Sequence, residues 1–286
     1  MAGGRDCRTT RVKDSLLWRK PLAISTLFSF PLKKSKGDGC LRGIFSLLAD
    51  RFYIPALPGP GEELQLPQEV GRHLRTVLRL RPGDCLRLFD GNGTEAQAKI
   101  LGVQRHAVRV RILELGPGGL VPWREIELAF AIPKGSRLET LLGQATQLGV
   151  RSLQPLHFAR SPKSARHSDI PARWKRILQA TAGQCGIDRI PRITPPLPFA
   201  TWLEGPLHPH PYIALPPQRG TALLGLRPSR EPASLLVGPE GGFSPEEIRE
   251  ALKRGMSPLT LAPTVLRVET ACTAGLSLLM AAGRPE

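Results

Sequence analysis

Ser234-Leu235-Leu236-Val237-Gly238-Pro239-Glu240-Gly241-Gly242-Phe243-Ser244-Pro245-Glu246-Glu247 decides the fold of this chain. The apolar run ending at Val237 predicts a buried strand. Ser244 reads as a helix N-cap, Pro245 as the first helical residue, and Glu247 as the second half of a capping box. Strand, glycine turn and capped helix is the layout in which backbone N–H groups face a ligand at the end of a sheet. Gly241 and Gly242 carry no side chain, so backbone can come close to a flat ligand there. Leu259-Thr260-Leu261 repeats the theme, running through Ala262-Pro263-Thr264 into a long helix that ends near Ala282. Two strand ends with adjacent loops predict one composite pocket.

Strand and helix signals alternate upstream of this segment. Strands are expected over 126–131, 153–158, 212–215, 234–238 and 259–261, and helices over 138–148 and 170–185. Such alternation implies an α/β domain with a mostly parallel sheet covered by helices. The Pro- and Arg-rich stretch 216–232 reads as a loop. Gly116-Pro117-Gly118-Gly119 reads as a linker, which places this domain over 123–286. Before it, 51–118 reads as a small β-rich domain. Cys85-Leu86-Arg87-Leu88-Phe89 alternates, Asp90-Gly91-Asn92-Gly93 supplies a hairpin turn, and a second strand returns from Glu95. Val108-Arg109-Val110-Arg111-Ile112 predicts a strand with one buried and one basic face. A helix-like stretch lies within 67–80.

The chain has 286 residues and a formal net charge of +16, with 41% hydrophobic and 22% charged residues. That is enough apolar content for a packed core, and the charge points to a polyanionic partner, nucleic acid before membrane. Only 5% of residues are aromatic, which argues against recognition by many stacked bases. The five cysteines show no C-x-x-C pair, so a disulfide framework or zinc site is not expected and a reducing cytoplasmic location is. No apolar run reaches membrane-spanning length. Residues 1–50 are basic and lack periodicity, which fits a poorly ordered extension or an organelle-targeting segment better than a secretory signal.

Neither a G-x-G-x-x-G fingerprint nor a G-x-x-x-x-G-K-[ST] phosphate loop occurs; Pro133-Lys134-Gly135-Ser136 lacks the required glycine spacing. Instead, the segments around Gly238-Pro239-Glu240-Gly241-Gly242 and Leu261-Ala262-Pro263-Thr264-Val265-Leu266-Arg267-Val268-Glu269-Thr270-Ala271 resemble the signature of the 16S ribosomal RNA (uracil-N3)-methyltransferases of the SPOUT superfamily. Ile132-Pro133-Lys134-Gly135-Ser136-Arg137-Leu138-Glu139, Arg160-Ser161 and Gln184-Cys185-Gly186 match further blocks. Arg51-Phe52-Tyr53-Ile54 and the stretch from His73 to Asp84 match that family's amino-terminal domain.

The resemblance implies a SPOUT-type knotted sheet behind a PUA-like β-barrel that binds RNA. It implies S-adenosylmethionine as methyl donor, a uridine N3 of 16S ribosomal RNA in the small subunit as acceptor, and a homodimer packed through the small residues of the last helix. Cofactor would lie among three loops, against Leu215, Gly238, Pro239, Glu240, Gly241, Gly242, Leu261, Ala262, Leu266 and Thr270. Arg267 is the candidate to stabilise charge on the uracil carbonyls. Glu269 is the candidate base or orienting group, with Glu240 a second. RNA contacts are expected from Arg75, Arg79, Arg160 and Arg189.

The chain departs from the family pattern at Ile187, where an arginine is common, at Gln147 and at Ala262. Arg189 is close enough to have taken over the role of the missing arginine. Ile187 and Ala262 support an alternative, a non-catalytic ribosomal RNA binder with a degenerate site. A nucleotide-hydrolysing assembly factor is disfavoured by the missing phosphate loop.

Overall fold

Ile126–Ala131 (β6) and Ala233–Val237 (β11) pair in parallel at the centre of the larger of two sheets. Their side chains alternate between two cores. Ile126, Leu128, Phe130, Leu235 and Val237 enter one, and Ala129, Ala131 and Leu236 the other. A strand buried on both faces reads as an unbroken apolar run, which explains why these two segments are legible in sequence. The two polar breaks, Ser234 of β11 and Glu127 of β6, meet each other, with Ser234 donating to Glu127 at 3.2 Å. This computed structural model describes residues 51–74, 78–104, 107–161, 169–187, 189–217, 226 and 228–285.

The smaller sheet comes first. It comprises β1 (Arg51–Tyr53), β2 (Glu63–Gln65), β3 (Cys85–Phe89), β4 (Thr94–Val103) and β5 (Val108–Pro117), in the order β1-β3-β4-β5-β2. It curls around Leu66, Leu74, Leu88, Ile100, Val110 and neighbours. Edge strands β1 and β2 are not paired with each other, so the barrel stays open at that seam. The β3–β4 hairpin forms as expected, with Asp90 Oδ1 accepting from the amides of Asn92 at 2.7 Å and Thr94 at 3.0 Å. On β5, Val108, Val110 and Ile112 are buried, while Arg109 and Arg111 face out and pair with Glu63. The helix α1 spans Gln68–His73, helical backbone recurs at Leu74 and Leu78, and Arg79 adopts a left-handed conformation (φ 53°) that helical backbone excludes. The expected linker starts too early: Gly116 and Pro117 belong to β5 and pair with Glu95 and Thr94.

The larger sheet is parallel throughout. Its other strands are β7 (Ser152–His157), β8 (Arg192–Ile193), β9 (Leu197–Pro198), β10 (His210–Ala214) and β12 (Ser257–Leu259), and its order is β12-β10-β11-β6-β7-β8, with β9 also on β7. Helices α2 (Arg137–Gln147), α3 (Ala172–Cys185) and α6 (Val268–Ala282) supply residues to the core of one face. Helices α4 (Phe199–Glu204) and α5 (Pro245–Lys253) supply the other. The chain passes from β11 through α5 to the edge strand β12, then returns through α6 onto β6, β11 and α2. This doubling back is the arrangement of a SPOUT-type sheet. The last strand lies two residues before the expected 259–261, because Pro258 hides it; a proline is tolerated there since β12 is an edge strand.

The described residues belong to one compact unit, so the contact between the sheets is part of the fold. Arg51 makes it. Its guanidinium lies 2.9 Å from Glu95, donates to the Ile187 carbonyl at 3.2 Å and sits 4.7 Å over the Phe89 ring. Gly183 lets α3 approach, since a side chain there would meet the Arg51 carbonyl at 2.9 Å. Cys185 and Cys272 are free thiols. Residues 1–50 and most of the 216–232 loop lie outside the described residues, as does Arg75.

Candidate active site

The carboxy ends of β10, β11 and β12 lie side by side, and the loop after each one meets the other two. Together they line a cleft of about 120 Å³, walled by Leu215, Gly238, Pro239, Glu240, Gly242, Leu261, Ala262 and Leu266, with Val268 and Ala271 of α6 completing it. Parallel strands place their loops in this way, because successive carboxy ends share one edge. The walls are mostly apolar side chains and main chain, with Glu240 and Thr264 the polar exceptions. Gly242 adopts a φ of +72° with open space where a side chain would stand. A lining of this kind fits a flat heterocycle and a ribose, which need apolar contact and backbone hydrogen bonds more than charge. Gly241 and Thr270 do not line the cleft, although the resemblance implies both at it.

Each glycine of the loop after β11 has its own reason. At Gly238, a side chain would meet the Phe243 ring at 2.8 Å. Phe243 packs edge-on against Phe158 at 5.4 Å, so Gly238 admits the ring that anchors the loop to the core. At Gly241, a side chain would meet Cβ of Arg160 at 3.3 Å. Arg160 donates to the carbonyls of Gly241 at 3.2 Å and Phe243 at 3.3 Å. On the other side, Arg137 pairs with Glu240 at 3.2 Å. Two arginines from different elements thus hold the loop at both flanks.

The capping box forms as the sequence predicts: Ser244 accepts from the Glu247 amide, and Glu247 accepts from the Ser244 amide at 2.7 Å. Glu247 also accepts from the Ala159 amide at 2.8 Å, so it joins the loop after β7 to α5.

Arg267 and Glu269 flank Val268 at the start of α6. Arg267 is the exposed N-cap residue, whereas Glu269 is buried at 9% exposure, and neither lines the cleft. Arg267 has extended backbone before the helix and is exposed, whereas Glu269 is in the first turn and buried, so the two side chains do not share one environment. Glu269 Oε2 has no hydrogen-bond partner among the described residues. Burial pushes the thiol of neighbouring Cys272 far above its ordinary range, and the Glu269 carboxylate adds to the push.

The expected RNA-facing arginines do not form one patch. Arg160 is the loop clamp, Arg79 follows α1 on the small sheet, and Arg189 lies over the hairpin, with its guanidinium against Gly93. Ile187 is buried at 5% exposure with Phe89 and Ala182. Its place is in the packing between the sheets, so it says nothing against the cleft. Arg137 stands in a matched block, yet no local pattern discloses its role. Its carboxylate partner lies 103 positions away (240 − 137), beyond the reach of any sequence periodicity.

Residues 121–280 match the model of the RNA methyltransferase domain family, and residues 66–113 match the RNA methyltransferase PUA domain. A Synechocystis protein named ribosomal RNA small subunit methyltransferase E is 31% identical over 210 residues, covering 72% of this chain and 68% of that one. A putative methyltransferase of Legionella pneumophila, solved with bound S-adenosylmethionine, is 33% identical with a TM-score of 0.71, covering 81% of this chain and 97% of that one. A ribosomal RNA small subunit methyltransferase E of Neisseria gonorrhoeae, also bound to S-adenosylmethionine, is 29% identical with a TM-score of 0.71 and the same coverage.

Proposed function

Because the chain belongs to the RNA methyltransferase family, we propose that it transfers a methyl group from S-adenosylmethionine to N3 of a uridine in 16S ribosomal RNA of the small subunit. The observation that carries this reading is the cleft at the ends of β10, β11 and β12, with its glycine loop held between Arg137 and Arg160. S-adenosylmethionine supplies an electrophilic methyl group when bound. Leu215, Leu261 and Leu266 offer apolar contact to a ring, and main chain from Gly238 to Gly242 offers hydrogen bonds.

The chain's remaining task is to place uracil N3 in line with that methyl group, and positioning of this kind is a large share of catalysis. N3 must lose its proton, and charge then spreads onto the two flanking carbonyls. Arg267 leaves the cleft rim between Leu266 and Val268 and is exposed, so it can meet that charge. Glu269, buried behind it, orients the first turn of α6, where a carboxylate also suits the helix dipole.

The protein is read as a cytoplasmic homodimer. Ala274, Leu278 and Ala281 recur at helical spacing on the side of α6 away from the core, and Val265 beside the cleft is 82% exposed. Among the described residues no helix is long and apolar enough to cross a membrane.

The test is methylation of small-subunit RNA with labelled S-adenosylmethionine, followed by mass spectrometry of the released nucleosides. 3-Methyluridine is expected. A methyl group on any other base, or on ribose, would sink the N3 assignment. Failure to bind S-adenosylmethionine at all would favour the non-catalytic binder.

A further inference from the structure

A basic surface lies at the end of the larger sheet opposite the cleft. Arg151 immediately precedes β7 and Arg192 opens β8, so both stand at amino ends of strands, whereas the cleft is built from carboxy ends. Lys175 of α3 and Arg189 join them around a groove of about 700 Å³, whose far wall is the β3–β4 hairpin at Asp90 and Asn92. All four cations are exposed. Among the described residues two carboxylates share the lining, Asp90 and Glu125. Asp90 is occupied with the amides of its own turn, and Glu125 stands 3.8 Å from Arg151. The groove therefore keeps a positive balance, and it runs along the seam between the two sheets.

We propose that this groove is a docking site for the RNA phosphate backbone, separate from the place of methyl transfer. The inference rests on the RNA methyltransferase reading given above. Strands of five or six residues put roughly 17–20 Å between the two ends of the sheet. The groove also lies several strands across the sheet from the cleft, so at about 3.4 Å per nucleotide a docked RNA must extend beyond some five or six nucleotides to reach it. Phosphate contacts of this kind fix register and supply affinity without reading sequence. An enzyme that acts on one base gains little grip from that base alone. A distant grip lowers KM and leaves the transition state for methyl transfer untouched.

The experiment compares the full chain with an Arg151→Ala/Lys175→Ala/Arg192→Ala variant. Small-subunit RNA is titrated at several salt concentrations, S-adenosylmethionine affinity is measured by calorimetry, and methylation is followed at saturating cofactor. Loss of three phosphate contacts should flatten the slope of log affinity against log salt by about 2 and raise KM for RNA about tenfold. Cofactor affinity and kcat should stay at the level of the unaltered chain. An Arg173→Ala/Arg249→Ala/Lys253→Ala variant removes the same charge outside the groove and should change the slope far less. The single substitution Lys175→Glu, at an exposed helix position, repeats the test with the least disturbance of packing. An unchanged slope and KM in the groove variants overturns the proposal, as does an equal loss in the control variant. A chain that binds RNA through the groove but transfers no methyl group would overturn the functional reading and leave the groove standing.

Discussion

Arg160 lies across Gly241, donating from one guanidinium nitrogen to its carbonyl at 3.2 Å. The same nitrogen reaches the Phe243 carbonyl at 3.3 Å, so one side chain fixes both ends of a three-residue turn. Both bonds use that one nitrogen, so the loop takes one corner of a five-donor guanidinium. Arg160→Ala should lower affinity for S-adenosylmethionine by about five- to tenfold, as the loss of about 1 kcal/mol of charge-assisted hydrogen bonding implies. The salt dependence of RNA binding separates the clamp from the RNA contact that the sequence suggests. A slope that falls in Arg160→Ala, with cofactor affinity intact, would restore the RNA role.

The glycines around the clamp should differ in cost. Gly238→Ala puts a methyl group 2.8 Å from the Phe243 ring, which is itself packed in the core. Overpacking of this sort costs about 1–3 kcal/mol, so both melting temperature and cofactor affinity should fall. Gly241→Ala meets Cβ of Arg160 at 3.3 Å and its backbone carbonyl at 3.6 Å, a milder crowding that should cost less stability, while Gly241→Val should displace the clamp and weaken cofactor binding. Thermal denaturation alongside calorimetry checks the order. A Gly238→Ala protein as stable as Gly241→Ala would mean that the Phe243 ring is free to move.

Strands β6 and β11 are legible in the amino-acid sequence because both their faces are buried, and α5 because Ser244 and Glu247 form a local, three-residue signal. The three-loop cleft follows from resemblance at the same segments. Features that depend on distant partners are not legible. Arg160 meets Gly241 across 81 positions, and Arg51 meets the Ile187 carbonyl across 136, so neither contact leaves a periodic trace. β8 and β9 have two residues each, too few for any alternation to show. Arg189 reads as a loop arginine, but which wall it faces depends on how the small sheet docks.

Arg51 and Glu95 test that docking. Their side chains are 1% and 15% exposed. Arg87 also pairs with Glu95, at 3.1 Å, so losing Arg51 leaves that carboxylate partly compensated and should cost less than the about 3–5 kcal/mol of an uncompensated buried charge. Arg51→Ala should still lower the midpoint of urea denaturation. Adding Glu95→Ala should recover part of the loss, because the second substitution removes the carboxylate that Arg51 had faced. Loss in the double variant equal to the sum of the single losses would show that the two residues act independently.

The thiol of Cys272 offers a pH-dependent check on the α6 core. Burial, with the Glu269 carboxylate beside it, raises its pKa in the folded chain. The folded state thus holds a proton that the unfolded state releases above about pH 8.5. Between those two pKa values the folded chain binds more protons, so stability is intact below the unfolded pKa and declines as pH rises past it. Cys272→Ala should flatten that alkaline decline. In the native protein Cys272 should react with a maleimide far more slowly than in urea, since the buried thiol offers no thiolate. Equal labelling rates in the two conditions would mean that α6 opens readily.

The proposed homodimer should depend on the outer stripe of α6 and not on its small residues as a whole. Gly275 is already committed to the chain's own core: a side chain there would meet Leu235 at 2.6 Å. Ala271, Cys272, Leu276 and Leu279 are likewise buried against the sheet. What remains for a partner is Ala274, Leu278 and Ala281, with Leu278 at 42% exposure, and Val265 at the cleft rim. Leu278→Asp places a charge on that stripe without touching the core, so the subunit should keep its helical spectrum and sediment as a monomer at micromolar concentration. Because Val265 lies on the loop that also supplies Leu261 and Leu266 to the cleft, the monomer should bind S-adenosylmethionine more weakly than the dimer does. A Leu278→Asp protein that remains dimeric would move the interface away from α6, and an unaltered chain that is monomeric and fully active would remove the dimer altogether.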